Sequence, residues 1–229
     1  MENGTGDYKD YVLEAGYDVD NGKTRSYLKF EELPALTSSD VVVGATLQLC
    51  QPSTRTDPNM TLCVEVHKVT GTWESSNITW ATQPTFTLEA EDYCLVPGTP
   101  GYNGWVVTDI VRSWYADGNN GLMIKAPDAV ENAGTANWMQ FYSSDSDYKP
   151  ALSITFRNNN GLESYWDYTT SSAGRAGTGY VNNFTGNLVW VHSDIGFGGN
   201  RMPVSINHVY NANDALSANE TNNSDDTGG

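Results

Sequence analysis

Short runs in which apolar and polar residues alternate fill the chain from Tyr11 to Phe156. Alternation places every second side chain on the same face of a strand, so each run predicts a strand with one buried face. Residues that favour turns, mainly Gly, Asn, Asp and Pro, separate the runs. Many short strands with turns between them predict an all-β sandwich or barrel. The runs are YVLEAGYD, SYLKF, VVVGATLQLC, TLCVEVHKV, EDYCLV, WVV, GLMIK, NWMQFY and ALSITF.

One segment departs from this alternation. In TDIVRSWYADG the apolar residues Ile110, Val111 and Trp114 have helical spacing. Thr108 is of the type that caps a helix N-terminus, and Gly118 is of the type that ends a helix. The segment therefore predicts a single short helix between two strands.

The pattern weakens after the last run. RNNNG, at 157–161, carries no apolar side chain to bury, which predicts a boundary. Residues 158–213 are rich in Gly, Tyr and Ser and contain only the strand-like runs NLVWVH and PVSINHVY, so we predict a β-containing extension that packs on the first domain or stays partly extended. The acidic, low-complexity residues 214–229 predict a disordered tail. The sandwich itself is predicted to cover residues 1–157.

Composition and charge limit the classes of molecule that the chain is expected to bind. The 13 tyrosines, 7 tryptophans and 22 glycines, with a charged fraction of 17%, are typical of extracellular β proteins. With 28 acidic and 12 basic residues, the formal charge of −16 repels nucleic acid, anionic lipid and polyanionic glycans. The partners that remain are a neutral polysaccharide and another protein domain.

Export signals and membrane spans are also absent from the pattern. No run approaches the roughly 20 apolar residues that a membrane span needs, so we expect no membrane insertion. MENGTGDYKD lacks the basic and apolar regions of a signal peptide, and we expect the signal of an exported parent protein to lie upstream.

The three cysteines exclude a disulfide framework, because at least one must be unpaired. Alternation points Cys50 and Cys63 away from the apolar faces of two consecutive predicted strands. A cross-strand disulfide between them is one alternative, and two free thiols are the other.

Sugar binding by β-sandwich modules relies on exposed aromatic rings, which stack on the apolar face of a pyranose beside amide and carboxylate groups. In NWMQFY we expect Met139 and Phe141 to face the core, so the residues between and beside them face outward, with the two outer aromatics roughly 13 Å apart. The candidate platform is Trp138, Gln140 and Tyr142 of this run, Tyr27 of SYLKF and Tyr102 in the turn GTPGYNG. The alternative is that the C-terminal extension covers these rings.

Catalytic and metal-binding patterns are sparse. His67, His192 and His208 lie on separate strand-like segments without the spacing of metal ligands, and alternation places His67 on a solvated face. We predict no catalytic residue, although a pair of carboxylates for glycoside hydrolysis stays open because sequence does not show distances. Loops at 18–22, 117–121 and 143–147 contain oxygen ligands of the type that calcium prefers, but such clusters also form turns. A structural calcium ion is thus the only cofactor considered, with these candidate ligands: Asp18, Asp20, Asp117, Asp145 and Asp147.

Five sequence blocks follow one another with characteristic spacing: TRSYLKFEELPAL, VVGATLQLC, VEVHKVTGTWESSNITWATQP, WVVTDIVRSWYADGNNGLMIK and MQFYSSDSDYKPALSITF. In these blocks, residues 11–157 resemble the DNRLRE domain family. The resemblance implies a jelly-roll β-sandwich related to carbohydrate-binding modules. That family has a further strand before a segment like YVLEAG, so we expect the first strand to be missing or supplied by another part of the chain.

Two later stretches, GLESYWDYTTSSAGRAGTGYVNNFTGNLVWVHSDIG and GNRMPVSINHVYNA, are similar to the segment that precedes Rhs or YD repeats in bacterial wall-associated and polymorphic-toxin proteins. The resemblances together imply a non-catalytic carbohydrate-binding module of a large exported bacterial surface protein. The alternative is a structural or protein-interaction domain N-terminal to an Rhs-repeat shell, and a small glycoside hydrolase is a lesser alternative.

Overall fold

The computed structural model describes residues 11–37, 39–52, 59–159, 161–197 and 204–213. The chain forms two compact units. The first contains the described residues up to Leu33 and those from Val42 to Thr155, and the second contains Pro34–Val41 and the described residues from Phe156 onward.

Three sheets make up most of the first unit. The strand orders are β2-β1-β9, β10-β4-β7 and β3-β8-β5-β6. Every pairing in this unit for which a register is described is antiparallel. The strands are β1 (Val12–Asp18), β2 (Gly22–Thr24), β3 (Ser26–Leu28), β4 (Asp40–Gln51), β5 (Thr61–Lys68), β6 (Asp92–Pro97), β7 (Gly101–Val106), β8 (Leu122–Lys125), β9 (Asn137–Tyr142) and β10 (Ala151–Asn158).

The apolar faces of these sheets form the core of the first unit. Met139 and Phe141, the two inward positions predicted in NWMQFY, are buried with no exposed area. Trp105 of β7 packs edge-on against Phe141, with ring centroids 5.7 Å apart. Its indole N–H donates to the backbone carbonyl of Val64 on β5, 2.8 Å away, so one buried side chain joins strands of different sheets.

Two helices lie within the described residues, α1 (Thr108–Asp117) and the single turn α2 (Asp128–Glu131). The predicted helix is present and ends at Gly118, but Thr108 is not its N-cap. The Thr108 hydroxyl instead accepts a hydrogen bond from the Ala45 amide.

The carboxylate of Glu91, distant in sequence, caps α1. It accepts the backbone N–H groups of Asp109 and Ile110 at 2.7 and 2.8 Å. Burial raises the pKa of Glu91, and the two backbone donors offset part of that rise. The cap comes from a segment that no local capping pattern includes, which is why sequence reasoning misplaced it.

The second unit contains a four-stranded antiparallel sheet in the order β11-β12-β13-β14. The strands are β11 (Tyr168–Ser172), β12 (Thr178–Asn182), β13 (Leu188–Phe197) and β14 (Val204–Asn211), with a 3-10 turn at Gly174–Ala176. The runs NLVWVH and PVSINHVY are therefore strands, as predicted. Their segment is also more regular than the extension that the composition suggested.

In the described part of the second unit, the buried side chains are mostly amides. Asn159 accepts a hydrogen bond from Asn182 through its side chain and from Asn187 through its backbone carbonyl. Asn187 also donates to Asn211, 2.8 Å away. All four asparagines are at least nine-tenths buried. The asparagine-rich stretch at 157–161, which predicted only a boundary, thus supplies Asn159 to the interior. Its burial is possible because the buried amide groups form hydrogen bonds with one another.

The all-β sandwich with a short helix is confirmed. Within the described ranges, no helix combines the length and apolar character that crossing a membrane requires. The predicted tail at 214–229 and the N-terminal ten residues lie outside the described part of the chain.

Candidate functional site

A cleft of about 460 Å³ opens on the first unit. It lies where the chain passes from β2 to β3 and so changes from one sheet to another at Arg25. Ser26 fixes this crossing, because its hydroxyl donates to the carbonyl of Glu14 and accepts from the amide of the same residue. The cleft is lined by residues 12–14, 24–31, 73–75, 78, 143–144 and 149–150.

Two aromatic rings form one wall of the cleft. Tyr27 and Trp73 pack against each other with centroids 5.7 Å apart and planes tilted by 57°. The Trp73 indole N–H donates to the carbonyl of Asn120 at 2.8 Å, which fixes the ring. Phe30 and Ile78 add apolar lining. The wall therefore offers apolar ring surface whose polar atoms are already engaged.

A hydrogen-bonded network behind this wall holds Tyr27 in place. The Tyr27 hydroxyl donates to the Gln83 side-chain oxygen at 3.0 Å, and Arg25 donates to the same oxygen at 3.2 Å. Arg25 also makes a two-pronged ion pair with buried Glu131, at 3.0 and 2.6 Å. Its guanidinium lies 4.9 Å above the centroid of Trp80. Burial raises the pKa of Tyr27 to about 12, so this phenol is a neutral donor at ordinary pH.

Charged side chains at the cleft are balanced in number. Among the lining residues, the acids are Glu14, Glu31 and Glu74, and the bases are Arg25, Lys29 and Lys149. The charge of Arg25 is neutralised by Glu131. Serines at 75, 143 and 144 add hydroxyl groups. The cleft therefore has many hydrogen-bonding groups but no excess of positive charge.

The five predicted platform residues are distributed over three different sheets. Trp138, Gln140 and Tyr142 lie on β9, Tyr102 on β7 and Tyr27 on β3. Tyr27 lines the cleft. Tyr102 is 66% exposed and belongs to the strand, not to the turn before it.

On β9 the outward face is largely covered. Gln140 is buried and donates to the Glu14 carboxylate at 2.7 Å. The ring of Tyr142 stacks on that of Tyr148, with centroids 5.0 Å apart. Trp138 is half-buried opposite Gly16. These contacts use surface that the alternation pattern assigned to solvent.

The five candidate calcium ligands do not converge. Asp18 uses a carboxylate oxygen to accept the amides of Asp20 and Asn21, which is the turn-forming role. Asp117 lies 3.7 Å from the ammonium of Lys68. Asp145 and Asp147 are exposed in the loop after β9. None of the five belongs to a metal-ligand cluster in the described part of the chain.

The structure distinguishes between the two alternatives for Cys50 and Cys63, a disulfide and two free thiols. Cys50, Cys63 and Cys94 are free thiols. Cys50 lies on β4 and Cys63 on β5, and these strands belong to different sheets. Of the two alternatives, the structure therefore has the free thiols, and the strands that carry Cys50 and Cys63 are not paired. Burial raises the pKa of the Cys50 and Cys63 thiols.

His67 is buried, which corrects its assignment to a solvated face. Its Nδ1 lies 2.8 Å from the carbonyl of Thr87, and its ring packs edge-on against Phe86. The segment that follows β5 covers the outer face of the strand, and alternation alone does not show such a cover.

The sequence did not identify Trp73 as part of a site. No sequence pattern shows this contact, because it is the fold that brings the loop carrying Trp73 beside Tyr27. The same holds for His192 and His208, which pair directly across β13 and β14.

An all-β sandwich with a cleft walled by aromatic rings, as found here, is the architecture of a carbohydrate-binding-module-like domain. The chain belongs to carbohydrate-binding module family 96, whose family model matches residues 8–156, more than half of its length. No curated protein matches the chain.

Proposed function

We propose that the first unit binds a neutral polysaccharide in the cleft and catalyses no reaction. The observation that carries this proposal is the Tyr27–Trp73 wall, in a domain of a carbohydrate-binding family. A sugar ring presents an apolar face and a rim of hydroxyls, and it is bound by aromatic rings with polar groups beside them. The cleft has both, and its volume lies in the range of about 300–1,000 Å³ that is usual for small-ligand sites.

The charge distribution supports a neutral ligand. A cleft that binds carboxylated or sulfated glycans needs an excess of Arg and Lys over acidic side chains, since Arg and Lys bind anions by charge-assisted hydrogen bonds. Here acids and bases at the cleft are equal in number, and Arg25 is already paired. The overall charge of −16 disfavours a polyanion further.

For the parent protein, we propose a large exported bacterial surface protein in which this module attaches the remainder to a glycan. The resemblance of residues 161–212 to the segment before Rhs repeats supports that setting. It also supports a second candidate function, a structural domain beside an Rhs shell that needs no glycan.

Affinity electrophoresis and a glycan array with the full chain test the proposal. We expect saturable binding to at least one neutral polysaccharide. Trp73→Ala and Tyr27→Ala should weaken it about 30-fold, as expected when a central aromatic contact worth about 2 kcal/mol is removed. Tyr102→Ala is the matched control, because it removes an exposed tyrosine that is not part of the cleft lining.

Tyr27→Phe tests whether the ring itself is needed for binding, since it keeps the ring and removes only the hydroxyl that contacts Gln83. We expect it to bind nearly as well as the unmodified chain. Binding that survives both alanine substitutions would place the site elsewhere. A folded chain that binds no neutral glycan would contradict the proposal and favour the structural alternative.

A further inference from the structure

Three metal-ligating side chains meet on the β13–β14 hairpin of the second unit. His192 and His208 are directly opposite each other in the strand register. The register shifts between Ser193 and Ile195, so Asp194 is the extra residue of a β-bulge. A bulge changes the direction of a side chain relative to a regular strand. The Asp194 carboxylate contacts both imidazoles: one oxygen lies 2.8 Å from His192 Nδ1, and the other contacts His208 Nδ1.

The spacing of these atoms suits a single ion. The ligand atoms of the three residues all lie within 4.8 Å of one another. Zinc binds imidazole nitrogen and carboxylate oxygen at about 2.0–2.2 Å, which places two tetrahedral ligand atoms about 3.3 Å apart. His208 is exposed, so its ring has room to rotate as the three ligand atoms adjust to this separation.

His192 also has the supporting contact that metal-binding histidines use. Its Nε2 lies 2.9 Å from the carbonyl of Arg175. When Nε2–H donates to that carbonyl, the ring is fixed and Nδ1 keeps its lone pair directed toward Asp194. The carbonyl belongs to the 3-10 turn that the Trp190 indole also holds, through a 2.9 Å hydrogen bond to Ala176.

We propose that His192, Asp194 and His208 bind one divalent transition-metal ion such as Zn²⁺. Two imidazoles and a single carboxylate favour Zn²⁺, Cu²⁺ or Ni²⁺ over Ca²⁺ or Mg²⁺, which prefer oxygen-only ligands. A cavity of about 620 Å³ adjoins His192 and Asp194, so a fourth ligand position is open to water or to a small anionic ligand. The metal would link the two strands at the bulge, and it is independent of the cleft in the first unit.

Isothermal titration of the full chain with ZnCl₂ tests this site, using protein that carries no affinity tag and has been freed of metal by chelator. We expect one ion per chain and a rise in melting temperature on addition of Zn²⁺. Co²⁺ should give the visible absorption of a low-coordinate site. CaCl₂ in excess should neither give these signals nor compete with Zn²⁺.

Single substitutions identify the ligands. His208→Gln and Asp194→Asn should each weaken Zn²⁺ binding by at least ~100-fold, since even the partners of metal ligands contribute about 10–100-fold. Asp167→Asn, which removes an exposed acid of the same unit, is the control and should bind as the unmodified chain does. His208 is exposed, so its variant is expected to fold. Equal affinity of all variants, or no saturable binding by the unmodified chain, would overturn the proposal.

Discussion

Tyr27 shows how one side chain defines the wall of the cleft. Its ring packs on Trp73, and its hydroxyl is engaged by Gln83, so the ring has little freedom to rotate. Burial outweighs the opposing effect of the nearby Arg25 charge and raises the pKa of Tyr27 to about 12. A neutral, fixed ring is what stacking on a sugar requires, because little conformational entropy is lost when the ligand binds.

This pKa predicts a specific dependence of stability on pH. Above the ordinary tyrosine pKa of 10.0 the unfolded chain loses the Tyr27 proton, but the folded chain keeps it up to about pH 12. The unfolded state then binds fewer protons, so the free energy of unfolding falls as pH rises across this window. Urea unfolding at several pH values should show a smaller decline for Tyr27→Phe. In a spectrophotometric titration at the phenolate band, Tyr27→Phe should also lose the last ionisation step.

Tyr102→Phe is the control for this titration, because it removes an exposed phenol and should leave the last step in place. If Tyr27→Phe and Tyr102→Phe gave the same titration curve and the same decline in stability, the buried, neutral state of Tyr27 would be contradicted.

At the residue scale, alternation predicts inward positions well and outward positions poorly. Met139 and Phe141 are buried as predicted, because removing their apolar side chains from water stabilises the fold. Gln140 and His67 were expected at the surface and are buried. Their strands are correct, but neighbouring side chains and loops cover the outer faces, and the sequence period holds no information about that cover.

At the scale of strands, Gly16 sets how closely β1 and β9 approach. Its φ of +130° lies in a region that favours glycine. A Cβ built there would lie 2.3 Å from the carbonyl oxygen of Asn137 and 2.6 Å from the Cα of Trp138. Both neighbours are backbone atoms of β9, so a rotamer change does not relieve the overlap.

We therefore expect Gly16→Ala to lower the free energy of unfolding by about 1–3 kcal/mol, the range for a strained backbone conformation, with the overlap favouring the upper end. Gly44→Ala is the matched control in β4, where nothing lies within 4 Å of the added Cβ and φ is not positive. It should change stability little or raise it by up to about 1 kcal/mol. Urea unfolding measures both, and a Gly16→Ala chain as stable as Gly44→Ala would contradict the close approach.

Element types follow from the sequence more readily than element partners do. The strand runs and the helix at 108–117 were predicted, because period and turn chemistry are local. The carboxylate cap from Glu91, the separation of Cys50 from Cys63 and the meeting of His192 with His208 depend on which strands pair. Pairing is decided by contacts distant in sequence, so these features appear only in the fold.

At the scale of the whole molecule, charge distinguishes the proposed ligand from most biological polymers. The chain carries 28 acidic and 12 basic residues, so its long-range field repels polyanions at low ionic strength. A neutral polysaccharide experiences no net force from this field. Its affinity is expected to depend on ring stacking and hydrogen bonds at the cleft, which act at contact distance.

Salt dependence of binding tests this argument for whichever polysaccharide is retained. Between about 0.01 and 1 M NaCl the Debye length falls from about 30 to 3 Å, which removes long-range electrostatics but leaves stacking contacts intact. We expect the Kd of the neutral glycan to change by less than about twofold over this range, as measured by affinity electrophoresis or calorimetry. Carboxylated glycans of the same length, as controls, should stay unbound at low salt because repulsion is then greatest. A Kd that rises steeply with added NaCl would show that attraction between opposite charges drives binding. That result is incompatible with a neutral ligand held by the aromatic wall.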